Sequence, residues 1–224
     1  MIEIYKCITP NTEWFFEVML GVRNSFSSWD QSDTVRNDDE IIFGEKDLDL
    51  VERLSKCDSS ERKFLRQLPV LMVIRAPLYW WKEFDTYKIG TTSNSTSTMH
   101  TILREEFHRE QFATDQLLMV GEVALDEIIE KLNDLRSRYI ATEDPKFQKQ
   151  LWYNIIQLLP ESWMQTRTIT LNYEVLKRIY EQRRGHKLLE WRSFCKYLES
   201  LPYGELITFT GRYPWGKGGK SDES

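Results

Sequence analysis

Apolar residues recur along this chain with two periods, and the changes of period mark out its elements. Ile2, Ile4 and Cys7 alternate with polar residues from Met1 to Ile8, the period-2 pattern of a short edge strand. After Thr9-Pro10 the period becomes helical, with Trp14, Phe15, Val18, Met19 and Val22 on one face up to about Arg23-Asn24-Ser25. From Ser27 to Glu40 the chain is dense in Ser, Asp and Asn and reads as a loop anchored by Trp29. Acidic Glu45 to Asp49 leads into a helix bearing Leu48, Val51 and Leu54. Ser59-Ser60-Glu61 then reads as the cap of a shorter helix with Phe64, Leu65 and Leu68.

The stretch from Val70 to Ile74 is a continuous apolar run, too short for a helix, and predicts a buried strand. It turns at Ala76-Pro77 into an aromatic-rich helix with Trp80 and Trp81, and Pro77 suits the first helical turn because its missing N–H costs nothing there. Gly90 to Thr98 is a tract of Thr, Ser and Asn, too polar and β-branched to extend that helix. Two readings of the tract stand side by side, a surface linker and a ligand-binding loop. Met99 to Gln111 is irregular or helical.

Leu117 to Ile140 gives the clearest helical stripe, through Val120, Val123, Ala124, Ile128, Leu132, Leu135 and Tyr139. A second helix follows Asp144-Pro145 and carries Phe147, Leu151, Ile155 and Leu158 as far as Pro160. Trp163 to Leu171 alternates Thr with apolar residues and predicts a strand. Asn172 caps a helix that runs through Arg183, Gly185 breaks it, and a last helix spans about Lys187 to Leu201. A single domain over residues 1–210 with a mobile tail over 211–224 is expected.

Composition narrows the function. With 41% hydrophobic and 13% aromatic residues, the 224-residue chain has the material for a core. Thirty basic against thirty-five acidic residues give a net charge of −5, which argues against non-specific nucleic-acid binding. Cys7, Cys57 and Cys195 are far apart and unpaired in spacing, as expected of reduced thiols in a cytoplasmic protein. No apolar run is long enough to span a membrane, and the N-terminal residues lack a basic-then-apolar pattern, so no signal sequence is expected there. The three histidines lack metal spacing, so no metal site is expected. No GxSxG, Walker or GxGxxG motif is present. One cationic cluster stands out. Arg178, Arg183, Arg184, His186 and Lys187 gather toward one helix end, either complementing its dipole or binding phosphate.

Two segments together resemble the flavin-dependent thymidylate synthases, which reductively methylate dUMP with FAD, a reduced nicotinamide and methylenetetrahydrofolate. Arg75-Ala76-Pro77 is similar to that family's K-A-P turn between strand and helix. The family signature, RHR, seven residues, S, then G-R-Y, is in frame with Thr86-Tyr87-Lys88, seven residues, Thr96, then Ser97-Thr98-Met99. Leu159-Pro160 followed by Thr170-Leu171-Asn172 matches LP…TVN, and Arg183 falls at the nucleotide-binding arginine, eleven residues after that asparagine. His186 and Glu190 correspond to H-A-Q-x-E, and Val22-Arg23-Asn24-Ser25-Phe26 is similar to A-R-x-S-F. The H-x-x-P-F-E-H segment has no counterpart in Glu61 to Gln67, and the signature's terminal arginine is Thr98.

The resemblance implies an α/β (α+β) fold with helices around a mixed, mainly antiparallel sheet, and a homotetramer. It implies a pyrimidine deoxynucleotide as substrate, held by Arg183 with Thr96 and Asn94. It also implies FAD held by Lys88, Asn172, Arg178 and His186, with NADPH and methylenetetrahydrofolate as co-substrates. No side chain is expected to act as a nucleophile. The replaced signature leaves two outcomes open: a divergent enzyme, or a non-catalytic homologue that binds a nucleotide or a protein partner, with Trp29, Trp80 and Trp81 as interface anchors or core residues.

Overall fold

The computed structural model describes residues 1–37 and 40–208; the tail expected to be mobile lies outside them. The elements in order are β1 (Glu3–Ile8), α1 (Thr12–Gly21), β2 (Val35–Arg36), β3 (Ile41–Ile42), α2 (Glu45–Ser55), β4 (Pro69–Pro77), α3 (Leu78–Phe84), β5 (Thr92–Ser95), α4 (Thr98–Thr101), α5 (Met119–Ala141), α6 (Pro145–Leu158), β6 (Met164–Asn172), α7 (Tyr173–Arg183), α8 (Leu189–Glu199) and α9 (Glu205–Thr208). Four strands form a sheet in the order β1-β4-β6-β5, and β2 pairs antiparallel with β3, Val35 opposite Ile42. The chain thus mixes helices with antiparallel sheet, the α/β architecture expected. The described residues divide into two compact units, one of residues 1–5, 73–86 and 93–168, the other of residues 6–37, 40–72, 87–92 and 169–208.

In the first unit, α5 and α6 pack on each other over a core of Ile102, Phe107, Phe112, Leu125, Leu132 and Ile155. Asp144 caps α6 by accepting from the Lys146 N–H, and Pro145 fills its first turn. The stripe expected on α5 is buried only in part. Leu132 is enclosed, whereas Val120 and Val123 are exposed and Leu125, outside the predicted stripe, is buried. Trp80 and Trp81 are fully enclosed, so of the two roles considered for them the core is the one they fill. Trp81 also donates from Nε1 to the Gln165 carbonyl at 2.9 Å.

The second unit is built on α7, which packs against α8, α9 and the 3-10 turn Arg62–Gln67. Its core includes Phe15, Leu65, Leu68, Leu176, Ile179, Trp191, Phe194 and Leu198. Phe15 stacks on Tyr203 with centroids 3.6 Å apart. Arg23, the arginine of the A-R-x-S-F-like segment, is buried and paired with buried Asp47.

Three local expectations need correction. Ser59 and Ser60 do not cap the segment after them: it is a 3-10 turn preceded by Glu61 and has no side-chain cap. Pro77 sits at the N-cap of α3, extended at φ −69° and ψ 154°, one position before the first turn. The first helix opens at Asn11, whose side chain accepts from the Trp14 N–H, and not at Thr9-Pro10. At Asn11, as at Asp144, the short polar residue that reaches a free helix N–H sets the boundary.

Candidate functional site

Helix α7 begins where strand β6 ends, and Asn172 makes that junction. Its Oδ1 accepts from the Val175 N–H at 3.1 Å, the cap the sequence implied. The Tyr173 N–H donates to the Leu68 carbonyl at 3.1 Å, which ties the start of α7 to the residue just before β4. Within the first turn, Arg62 Nε donates to Glu174 at 2.9 Å. The helix is therefore fixed at its N-terminus, and its C-terminal cations are carried at fixed heights and angles.

Those cations meet an aromatic group. Arg183 Nε donates to Tyr87 Oη at 2.9 Å, and Tyr87 Oη donates to Gln182 Oε1 at 2.9 Å. The Arg183 guanidinium lies 4.9 Å from the Trp191 ring centroid and 5.7 Å from that of Tyr87. Arg178, five residues earlier, approaches the same tyrosine ring at 5.6 Å. Tyr87 is only 4% exposed, so its hydroxyl is engaged within the protein. Cation–π contacts of this kind contribute about 0.5–2 kcal/mol each.

His186 follows the end of α7. Its Nδ1 accepts from the Leu188 N–H at 3.2 Å, so the neutral ring carries its proton on Nε2. Lys88, next to Tyr87, is exposed. Gly90 closes the turn after it with φ +78°, where an added Cβ would stand 3.3 Å from Asn172 Nδ2. Arg183, Arg178, Asn172, His186 and Lys88 thus all belong to the second unit, and Tyr87 brings Arg178 and Arg183 together.

Thr96 and Asn94 belong to the first unit. The polar tract that holds them is neither linker nor loop over its central part: Thr92–Ser95 is strand β5 at the edge of the sheet, with every residue exposed. Thr96 continues the pairing, its N–H donating to the Thr166 carbonyl at 2.9 Å while its own carbonyl accepts from Gln165 Nε2 at 2.9 Å. In the same unit Arg167 lies over the Trp81 ring at 4.4 Å and donates to Asp85 at 2.7 Å, which makes it part of the packing.

The Tyr87–Gln182–Trp191 surround of Arg183 went unassigned in the sequence. Tyr87 occupies the middle of the RHR frame and was the available signal; Gln182 and Trp191 gave none. The cysteines offer no nucleophile. Burial pushes the Cys195 thiol up to about 12, and burial likewise raises Cys7 and Cys57, so none is a thiolate near neutrality.

No protein-family model and no curated protein sequence matches the chain. Solved structures do. Thymidylate synthase X from Helicobacter pylori, crystallised with FAD and dUMP, is 17% identical, with a TM-score of 0.66 over 93% of this chain and 97% of that one. A second complex of the Helicobacter pylori flavin-dependent thymidylate synthase with FAD and dUMP gives 16% identity and a TM-score of 0.62, over 93% of this chain and 97% of that one. A UMP/dUMP methylase from Streptomyces cacaoi, bound with 5-Br dUMP, is 11% identical with a TM-score of 0.60 over 94% of each chain. The chain has the fold of a flavin-dependent thymidylate synthase. The flavin-dependent thymidylate synthase fold extends over nearly the whole sequence, so the ordered motif matches from Arg23 to Glu190 lie within a shared framework.

Proposed function

We propose that this chain is a divergent member of the flavin-dependent thymidylate synthase family that acts on a pyrimidine deoxynucleotide by reductive methylation of the dUMP-to-dTMP type. The observation that carries the reading is the anchored guanidinium of Arg183, eleven residues beyond the cap Asn172, in a fold whose solved neighbours were crystallised with dUMP or 5-Br dUMP. A held guanidinium suits a nucleotide, because it keeps its charge and loses little freedom on binding. Thr96 and Asn94 would hydrogen-bond the nucleotide from the polar tract.

The remaining donors would face FAD, Lys88 toward the flavin and Asn172 and His186 toward its ring or ribityl chain. Lys88 and Arg178 bring positive charge, and His186 brings an Nε2–H, whereas the Asn172 acceptor oxygen is used in capping α7. Lys88, Arg178, His186 and the Asn172 amide would hold the cofactor, which when bound supplies the redox chemistry. NADPH and methylenetetrahydrofolate would serve as co-substrates. By the same resemblance the protein would work as a homotetramer, and its widely spaced cysteines would suit the cytoplasm.

A second reading, a non-catalytic homologue that binds a nucleotide or a protein partner, draws on a specific observation. Of the RHR frame only Lys88 keeps a charge, and the middle residue, Tyr87, is turned inward onto Arg183. Each charge-assisted hydrogen bond that the altered frame no longer supplies weakens binding by about 1.5–3 kcal/mol. The visible absorption spectrum of the purified protein with added FAD separates the two. Bound flavin that is bleached by NADPH and perturbed by dUMP is the result expected of the enzyme. A protein that ignores FAD yet binds dUMP in a calorimeter leaves the binding homologue, and one that binds neither overturns both.

A further inference from the structure

Helix α5 starts with apolar side chains that nothing covers. Leu118, Met119 and Val120 are 78%, 80% and 77% exposed, and Leu117 and Val123 beside them are exposed as well. Among the described residues no other consecutive run of large apolar side chains is left open in this way. The helix then changes character along the same side. Glu127, Lys131, Asp134 and Arg138 follow Val120 and Val123 at steps of three and four, and all four are exposed. An ordinary solvent face therefore begins after Val123, and the apolar part is confined to the start. The N-cap position is Leu118, with no side-chain cap, where Ser, Thr, Asp or Asn is the usual choice.

The patch has an acidic surround. From residue 115 to 130 the sequence holds Asp115, Glu122, Asp126, Glu127 and Glu130 and no Lys, Arg or His. The Met1 amine pairs with Asp115 and Arg109 with Asp126, which leaves the surround net negative. Acids near a helix start also suit its dipole, but that leaves the apolar run unexplained. Two such patches face to face would set like charges together, so the occupant that fits is apolar and basic. Beyond Thr208 the chain's own sequence supplies one. Arg212 to Lys220 reads Arg-Tyr-Pro-Trp-Gly-Lys-Gly-Gly-Lys, with three cations, two large aromatic side chains and no acid. Tyr, Trp and Arg are the side chains most favoured at the centre of protein contacts, and aromatic rings pair well with methionine sulfur. Nine residues reach at most about 30 Å, against about 11 Å for two turns of helix.

We propose that the start of α5 is a docking surface for residues 212–220 of a second copy of this chain. Tyr213 and Trp215 would cover Leu118, Met119 and Val120, while Arg212, Lys217 and Lys220 meet the acidic surround. Exchanged reciprocally, two such contacts close a pair and reinforce each other. The proposal does not depend on nucleotide or flavin binding.

The experiment is photo-crosslinking of the full chain with p-benzoylphenylalanine in place of Trp215, followed by a denaturing gel and mapping of the bridge by mass spectrometry. The expected product is a covalent dimer bridged to residues 117–123. Its yield should fall about tenfold when Met119→Lys and Val120→Lys are introduced together, and should fall also in high salt. Both side chains are exposed, so the double variant is expected to keep the fold, which a circular dichroism melt verifies. Free of the crosslinker, a fluorescein-labelled peptide of residues 209–224 should gain anisotropy on titration with the parent and far less with the double variant. A bridge to residues 117–123 within one chain overturns the second copy as the occupant. A dimer bridged elsewhere, no bridge to α5, or binding indifferent to the two lysines overturns the docking surface itself.

Discussion

Arg23 donates to Asp47 Oδ1 from Nε at 2.8 Å and from its terminal Nη2, and both side chains are buried, Arg23 at 5% and Asp47 at 1% exposure. Ser32 and Thr34 hydroxyls donate to the second carboxylate oxygen at 2.5 and 2.6 Å. The A-R-x-S-F-like arginine is therefore a structural cation whose partner lies in the first turn of α2. Asp47→Ala leaves the guanidinium enclosed without its countercharge. A loss of about 3–5 kcal/mol of unfolding free energy is expected, measured by equilibrium denaturation.

The same carboxylate gives a pH dependence. Burial alone would raise the Asp47 pKa, but the hydrogen bonds from Ser32, Thr34 and Arg23 together outweigh it and hold the group below its ordinary value. A lowered folded pKa means the unfolded chain binds the proton more readily. The stabilisation is complete above the unfolded carboxylate value, about 4, and is lost as pH falls through the lowered one. Asp47→Asn is expected to flatten the acid limb of a stability profile followed by tryptophan fluorescence. An acid limb unchanged from the parent would remove Asp47 as its source.

Asn172 carries two roles that one pair of variants separates. Asn172→Ala removes the α7 cap and is expected to cost about 1 kcal/mol in denaturant. Asn172→Asp keeps a capping oxygen and loses the amide donors. If the amide holds flavin as proposed, the aspartate variant keeps its stability and loses FAD affinity, read by flavin fluorescence quenching.

Gly90 is the residue whose backbone the turn after Lys88 requires. At φ +78° an alanine is strained, and its Cβ would meet Val175 Cγ2 at 3.1 Å and Asn172 Nδ2 at 3.3 Å. Gly90→Ala is expected to destabilise by about 1–2 kcal/mol, seen as a lower Tm.

Arg183→Ala is expected to weaken dUMP binding at least tenfold by calorimetry. Arg183→Lys should recover only part of the loss, because an ammonium keeps the charge but not the planar fork. Equal affinity in all three proteins would take Arg183 out of the site.

How far the sequence disclosed this molecule depends on whether the cause of each feature was local. Strands β4 and β6, helices α6 and α7 and the cap at Asn172 follow from apolar runs and short polar side chains a few residues away, and all lie where the pattern put them. Strand β5 left no trace, because Thr-Ser-Asn-Ser has no apolar alternation and its pairing is set by the neighbouring strand. The stripe on α5 misled at Val120 and Val123, since periodicity marks a face that can be covered, not one that is. The Tyr87–Arg183 contact joins residues 96 apart in the chain, and no spacing rule reaches that far. Arg183 itself was legible in the cationic cluster at its helix end and in the family frame. What holds it was not.

The edge strand has a consequence for exchange with solvent. Thr92–Ser95 buries no side chain and sits at the end of the sheet, so opening it uncovers almost no apolar surface. Its release costs far less than global unfolding. Amide protons from Thr92 to Thr96 should therefore trade for deuterium long before those of β4, whose alternate residues are enclosed. The stretch that carries Asn94 and Thr96 would then open and close many times within the lifetime of one folded molecule, while the helix that carries Arg183 stays closed.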